Sequence, residues 1–379
     1  MASAPSAALE ARHQAVRAGL ADRRLDAFVV TSRSNILYLT NFDGSAGVAL
    51  VDDVGIRLLT DSRYLAAVRE MQSTAHACPN LELEDVAGSY DAALVAVLER
   101  VGARAIGFEA EHMTVRRHEW LTCTLEASRS DARLVATESI IERSRVVKDD
   151  HELAVFAEAG RRLSDVAAQV FTKVRAGRSE RAIAADIDFL LRSGGFEHPA
   201  FETIVASGPN AALPHARASE RTLSEGDLVV LDFGGVYDSY CVDLTRTVAV
   251  GHASSRAREV HSAVREAQRQ AIAAVSPGIS RFGIDAAARA ALGAAGMGEA
   301  FGHGTGHGLG LDVHEDPRIV QLRSGVDTRD EAIAANMVFT VEPGAYFPGW
   351  GGVRIEDDIA VTQDGARLLT TVTTELLEL

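Results

Sequence analysis

Between residues 149 and 361 one order of elements occurs twice. A long amphipathic helix and a second helix, begun by Ser179 and stopped by Gly194 and Gly195, lead into a pair of apolar strands that ends near residue 250. Helices at about 254 to 275 and 281 to 295 then lead, through a glycine-rich segment, into the strands VFTVE and VRIEDDIAV. An αα-then-ββ unit used twice predicts an internally duplicated α+β domain with a pseudo-two-fold axis.

Upstream the pattern differs. From residue 25 to about 110 the runs LDAFVV, NILYLT, GVALV, IRLLT and AIGFEA read as strands, with YDAALVAVLERVG and then MTVRRHEWLTCTLEA as helices. That is an α/β domain. The segment SIIERSRVVKDDHE turns from apolar to densely charged, which places the boundary near Arg145 and divides the 379 residues into domains 1–145 and 146–379.

Composition excludes several classes. Asp and Glu number 53 against 38 Lys and Arg, and the net charge of -15 would repel a phosphate backbone, so nucleic acid is not an expected partner. No apolar run approaches the ~20 residues that a membrane span requires, and MASAPSAALEARHQ has no secretory leader pattern, so a cytoplasmic location is expected. Cys78, Cys123 and Cys241 are too widely spaced for a disulfide framework or a CxxC metal site. There is no GxxxxGK, the only lysines are Lys148 and Lys173, and the stretch around Ser45, DGSAG, is not GxSxG and reads as a turn between strands.

The segment DLVVLDFGGVYDSYCVDLTRTVAV reads as a hairpin whose interior acids, Asp232 and Asp243, are symmetric about the Tyr237–Asp238 bond and so should face each other. Opposed residues on one sheet face have Cβ atoms ~5 Å apart, and like charges placed so destabilise the sheet. A shared proton or a bound cation must offset that repulsion. In the second half Glu342 and Glu356 are symmetric about Gly349 in YFPGWGG. Four carboxylates meeting across a pseudo-two-fold axis call for roughly two divalent ions, because proton sharing cannot neutralise so much buried charge. A nitrogen ligand would complete the site, and HGTGHGLGLDVHE offers His303, His307 and His314, with glycines that permit close backbone approach. His198, His252 and His261 read as ordinary structural histidines. Arg354, two residues before Glu356, shares its strand face and can orient carboxylates or substrate.

These residues, with LDFG, DLTRT, TVEPGAY and RIEDD, make the chain resemble, over nearly its whole length, the metallopeptidases of the pita-bread fold. The similarity is strongest to the Xaa-Pro aminopeptidases and the Xaa-Pro dipeptidases (prolidases). It implies a creatinase-type N-terminal domain, a pita-bread catalytic domain and a homodimer. It also implies that Asp232, Asp243, His307, Glu342 and Glu356 hold two metal ions, usually manganese with cobalt or zinc as substitutes. By the same resemblance Glu342 doubles as the base that deprotonates the attacking water. His314, with His303 and His215 (from PNAALPHA), stabilises the oxyanion or leaving nitrogen, and Tyr346 lines the site. Proline-containing peptides as substrates are a family inference alone, with His198, Phe201 and Tyr346 as candidate walls of the cleft. The leading expectation is an Xaa-Pro aminopeptidase. The dipeptidase is the close alternative, and a metal-free binding platform of the same fold a remoter one.

Overall fold

The short apolar runs upstream of Arg145 can bury both faces only by pairing beneath helices, and all but NILYLT do so in one sheet. A computed structural model describes residues 3–128, 130–322 and 330–379, so residues 1 and 2 of the expected N-terminal domain lie outside the described residues. The chain divides between Arg145 and Val146 into two compact units. The first holds a six-stranded mixed sheet in the order 81–85, 56–60, 48–52, 27–30, 105–109, 133–137, packed with the helices Ser6–Asp22, Tyr90–Val101 and Val115–Ala127.

One predicted strand of this unit is a helix. NILYLT lies in the helix Arg33–Thr40, and residues 41–47, with Ser45, therefore connect a helix to a strand rather than two strands. The reason is tertiary. Glu109, from a strand far along the chain, accepts the backbone N–H groups of Thr31 and Ser32 at 2.6 and 2.8 Å and the Asn35 amide at 2.7 Å. A carboxylate at the start of a helix satisfies donors that have no partner within it and favours the dipole. At the other end Asn41 takes the left-handed conformation, with φ 60°.

The second unit builds each of its halves from the same parts. The helix Asp150–Phe171 starts in a capping box between Asp149 and Glu152, and Glu180–Ser193 is capped by Ser179. They pack on the first hairpin, Leu228–Tyr237 with Tyr240–Ala249, which Ile204–Ser207 and His198–Pro199 extend to four strands. In the other half Ser255–Ala274 and Arg281–Ala294, capped by Ser254 and Ser280, pack on a five-stranded sheet in the order 315–319, 306–308, 338–341, 357–362, 365–368. The strands Val338–Val341 and Asp357–Thr362 belong to the second hairpin, whose tip is Gly344–Phe347 with Gly351–Arg354. The duplication reaches local detail: Ser179 bridges Thr222 where Ser280 bridges Ala332, and Gly177 N–H donates to Leu223 O where Gly278 N–H donates to Ile333 O. Each half has its own apolar core, one around Phe156, Leu163, Leu231 and Phe233, the other around Val264, Ile284, Phe339 and Ile359. Among the described residues no helix is long and apolar enough to cross a membrane.

Candidate active site

Both strands of the first hairpin are buried almost throughout, so their acids sit inside the fold. Tyr237 pairs with Tyr240, and the two residues between them, Asp238 and Ser239, take φ of 46° and 70°, the left-handed pair that a two-residue type I′ turn requires. Asp232 consequently lies opposite Thr245, and Asp243 opposite Gly234. The acids are not directly opposed as their symmetry about the Tyr237–Asp238 bond predicts, because the hairpin turns one residue further on. A two-residue slip leaves every side chain on its own face, and the acids remain diagonal neighbours, a relation that separates residues by roughly 7 Å.

The second hairpin keeps one register from Val338 opposite Ala360 to Val341 opposite Asp357, and again from Gly344 opposite Arg354 to Phe347 opposite Gly351. Glu342 and Glu356 occupy mutually opposite positions in the gap between these ladders. Pro343 has no N–H to donate there, which opens the pairing. The freed donors go elsewhere: Glu342 N–H to Thr305 O at 2.7 Å and Glu356 N–H to Thr245 O at 3.1 Å.

That second bond joins the two hairpins. Along the seam Arg354 meets Thr247, Glu356 meets Thr245 and Asp358 meets Asp243, an antiparallel alignment made largely through side chains. Thr247 Oγ1 accepts from Arg354 N–H at 3.0 Å, Thr245 Oγ1 donates to Glu356 Oε2 at 2.5 Å, and Asp358 Oδ2 accepts from Asp243 N–H at 2.9 Å. Arg246, between Thr245 and Thr247, pairs with Asp357 at 2.7 Å and also donates to the Glu356 carbonyl.

His307 arrives on the strand Gly306–Gly308, wedged between Val338–Val341 and Glu315–Ile319. A Cβ on Gly306 would lie 1.9 Å from Thr340 O and one on Gly308 2.1 Å from Asp316 O, so the alternating glycines are what let this strand fit. Asp243, His307 and Glu356 then offer ligand atoms that all lie within 4.8 Å of one another, and His307 Nε2 is 3.8 Å from Glu342 Oε1. Asp232 joins through Arg354, whose Nη2 donates to its Oδ2.

The electrostatics are those of anions crowded out of water. Burial first, and then Asp232 and Asp358, raise the Asp243 carboxyl well above the usual range. Burial and Asp243 do the same to Glu356, and burial holds Glu342 at about 7. Burial also lowers His307 to about 3, so its imidazole is neutral and its lone pair free to coordinate. Asp232 Oδ1 and Glu356 Oε1 are buried without a hydrogen-bond partner, although buried polar atoms are nearly always paired. Hard oxygen donors with one neutral imidazole, two of those oxygens left unsatisfied, fit a divalent cation.

These groups line one cavity of about 520 Å³, together with His215, His303, His314, Phe201 and Arg318. His303 Nδ1 lies 2.7 Å from Gly304 O and so carries the proton, leaving Nε2 to accept from Tyr346 Oη at 2.8 Å, while Tyr346 Oη accepts from Arg354 Nη1 at 3.0 Å. Tyr346 thus lies behind the cavity wall, and burial pushes its hydroxyl up to about 12. His198 is elsewhere: exposed, with Nδ1 2.8 Å from Pro199 O, it forms no part of this wall.

Comparison with known proteins agrees with this geometry. The profile of metallopeptidase family M24 matches residues 154–363, and that of the creatinase/prolidase N-terminal domain matches residues 12–147. The chain belongs to family M24. It is 38 % identical over 354 residues to the "Uncharacterized peptidase YqhT" of Bacillus subtilis, covering 93 % of this chain and 96 % of that one. Among solved structures it resembles the Xaa-Pro dipeptidase from Bacillus anthracis, with a TM-score of 0.90 at 33 % identity over 98 % of this chain and 100 % of the other. The X-Pro aminopeptidase from Thermotoga maritima is similar at a TM-score of 0.85 and 32 % identity, covering 97 % and 100 %. The chain is therefore a peptidase of creatinase-type and pita-bread domains, and M24 membership implies divalent metal.

Sequence reasoning missed the seam of this M24 site. Its members are Thr245, Asp358 and the Arg246–Asp357 pair, and a signal for them exists: DLTRT alternates hydroxyls with an arginine, and RIEDD puts Arg354, Glu356 and Asp358 on one face and Asp357 on the other, the period-2 pattern of a strand that serves both of its faces.

Proposed function

We propose that this M24 peptidase is an Xaa-Pro dipeptidase that works with two divalent ions, manganese first among them, held by Asp232, Asp243, His307, Glu342 and Glu356. The observation that carries the choice of dipeptidase over the expected aminopeptidase is Arg318. It lines the cavity, and its guanidinium makes no salt bridge with a described residue. A guanidinium near the reacting centre with no carboxylate partner among the described residues suits the free carboxylate of a two-residue substrate, which a longer peptide would not place there. The names of the relatives lean the same way: an Xaa-Pro dipeptidase of Pyrococcus horikoshii is 39 % identical over 240 residues, 63 % of this chain and 67 % of that one.

Divalent ions in this site supply a water activated at neutral pH and a polarised scissile carbonyl. Glu342 takes the water's proton at a carboxylate oxygen and returns one to the departing nitrogen. His215 and His314, both exposed on the cavity side, stand where an oxyanion or a leaving imino nitrogen would form. Arg354 fixes Asp232 and, through Tyr346, the tautomer of His303.

The test is a comparison of Xaa-Pro with Xaa-Pro-Yaa peptides on manganese-loaded protein. Dipeptides should be cleaved at least about tenfold more efficiently, and Arg318→Ala should raise KM for them while leaving any tripeptide cleavage unchanged. Release of the first residue from tripeptides at equal or higher efficiency makes the aminopeptidase the correct reading.

A further inference from the structure

Glu180 opens a helix in the second unit and is fully buried, yet its carboxyl is held below the usual range. Burial alone would raise it, and the hydrogen bonds it accepts from Ser219 and Ser207 outweigh that effect. Oε1 accepts from Ser207 N–H and Ser207 Oγ, each at 2.7 Å, and from Asn210 Nδ2 at 3.1 Å. Oε2 accepts from Ser219 N–H at 3.1 Å, Ser219 Oγ at 2.6 Å and Asn210 Nδ2 at 3.1 Å. One oxygen therefore holds the start of the segment 207–219 and the other its end.

That segment reaches the cavity between its two anchored ends. The Pro214 carbonyl accepts from Arg354 Nη1 at 3.1 Å, and His215 is on the cavity wall. Its opposite side rests on the tip of the second hairpin, so closely that a Cβ on Gly352 would stand 2.2 Å from Ala211 O. An ionised carboxylate accepts at both oxygens and donates at neither, which is what two sets of donors at the two ends of one loop require.

We infer that Glu180 is a positioning residue for the reaction: by tying both ends of 207–219 it holds His215 and the Pro214 carbonyl against the cavity. The inference rests on the peptidase reading only for its effect on turnover. Glu180→Gln keeps the shape but replaces one acceptor by an amide that faces donors, so one loop end is released. Hydrogen–deuterium exchange on metal-free protein should then rise at least about tenfold across 208–218 and remain unchanged in Leu228–Tyr237. With whichever peptide the wild type cleaves, Glu180→Gln should lower kcat/KM at least about tenfold, but less than about twofold when introduced into His215→Ala, since coupled residues are not additive. Unchanged exchange in 208–218, or an equal loss of kcat/KM in both backgrounds, overturns the inference. If Glu180→Gln does not fold, Ser219→Ala, which removes one donor from one end, is read by the same two measurements and the same criteria. Should the wild type cleave no Xaa-Pro peptide, the dipeptidase reading falls while the exchange result still decides the clamp.

Discussion

The two hairpins each present a pair of acids, Asp232 and Asp243 in the first and Glu342 and Glu356 in the second, by different means. The first keeps an unbroken ladder from Leu228 opposite Ala249 to Tyr237 opposite Tyr240, and Asp232 and Asp243 are placed by its pleat alone. The second interrupts its ladder at Pro343, and the backbones of Glu342 and Glu356 bond to Thr305 and Thr245, outside their own hairpin. A regular ladder can aim side chains at one face, and the backbone donors it leaves for a neighbour are those on the outer edge of its strand, such as Asp243 N–H to Asp358 Oδ2. The break in the second hairpin adds the Glu356 N–H bond to Thr245 O, which completes the seam between the two hairpins.

The largest effect should follow from emptying the regular hairpin. Asp243→Ala removes an oxygen from the Asp243–His307–Glu356 cluster, and we expect peptide hydrolysis to fall more than about a thousandfold, with bound manganese lost on metal analysis, beyond the ten- to hundredfold typical of residues that merely support a ligand. An active, fully metallated variant would remove Asp243 from the site.

Next comes the join between the hairpins. Arg246→Met leaves Asp357 buried without its cation, and urea unfolding should show a loss of about 3–5 kcal/mol. A loss near zero would mean that the seam does not depend on this pair.

The broken hairpin predicts a pH effect of definite sign. Because the folded-state value of Glu342 is raised to about 7 from 4.5, the folded metal-free protein binds the extra proton between those values and loses that advantage as pH rises through them. Metal-free Glu342→Gln should therefore gain stability relative to wild type across pH 4.5 to 7, by up to about 3 kcal/mol. Added manganese should reverse the sign, since a cation favours the charged carboxylate. A pH-independent difference between the two proteins contradicts this.

The smallest effect belongs to the turn of the regular hairpin. Ser239 sits at φ 70°, and Ser239→Gly should raise stability by about 1 kcal/mol with kcat unchanged. A lower kcat would show that the turn reaches the site.

Much of this was legible in the chain. Glu342 and Glu356 stand where their symmetry about Gly349 puts them, since both ladders of the second hairpin share one register. For Asp232 and Asp243 the face was legible and the partner was not: a turn at Asp238–Ser239 shifts the pairing by two residues, and a period of two hides that shift from any argument about faces. His198 reads from the sequence both as an ordinary histidine and as a candidate cleft wall, and its exposed side chain decides for the first, because a two-residue strand at a sheet edge fixes little about what lies beyond it. NILYLT has the composition of a strand, and Glu109, 77 and 78 residues from the two N–H groups it accepts, supplies the acceptor that starts a helix there.

By itself the amino-acid order determined the duplicated αα-then-ββ plan, the burial of four acids inside apolar strands and the side of the sheet to which each points, because these follow from periodicity and from nearest neighbours along the chain. Tertiary structure alone decided which strand each freed N–H group would find, that Thr245, Asp358 and Arg246 would stitch one hairpin to the other, and that Glu180 would hold both ends of the His215 loop. Those bonds join residues brought close only by packing, and no local pattern encodes the partner of a donor that its own ladder has released.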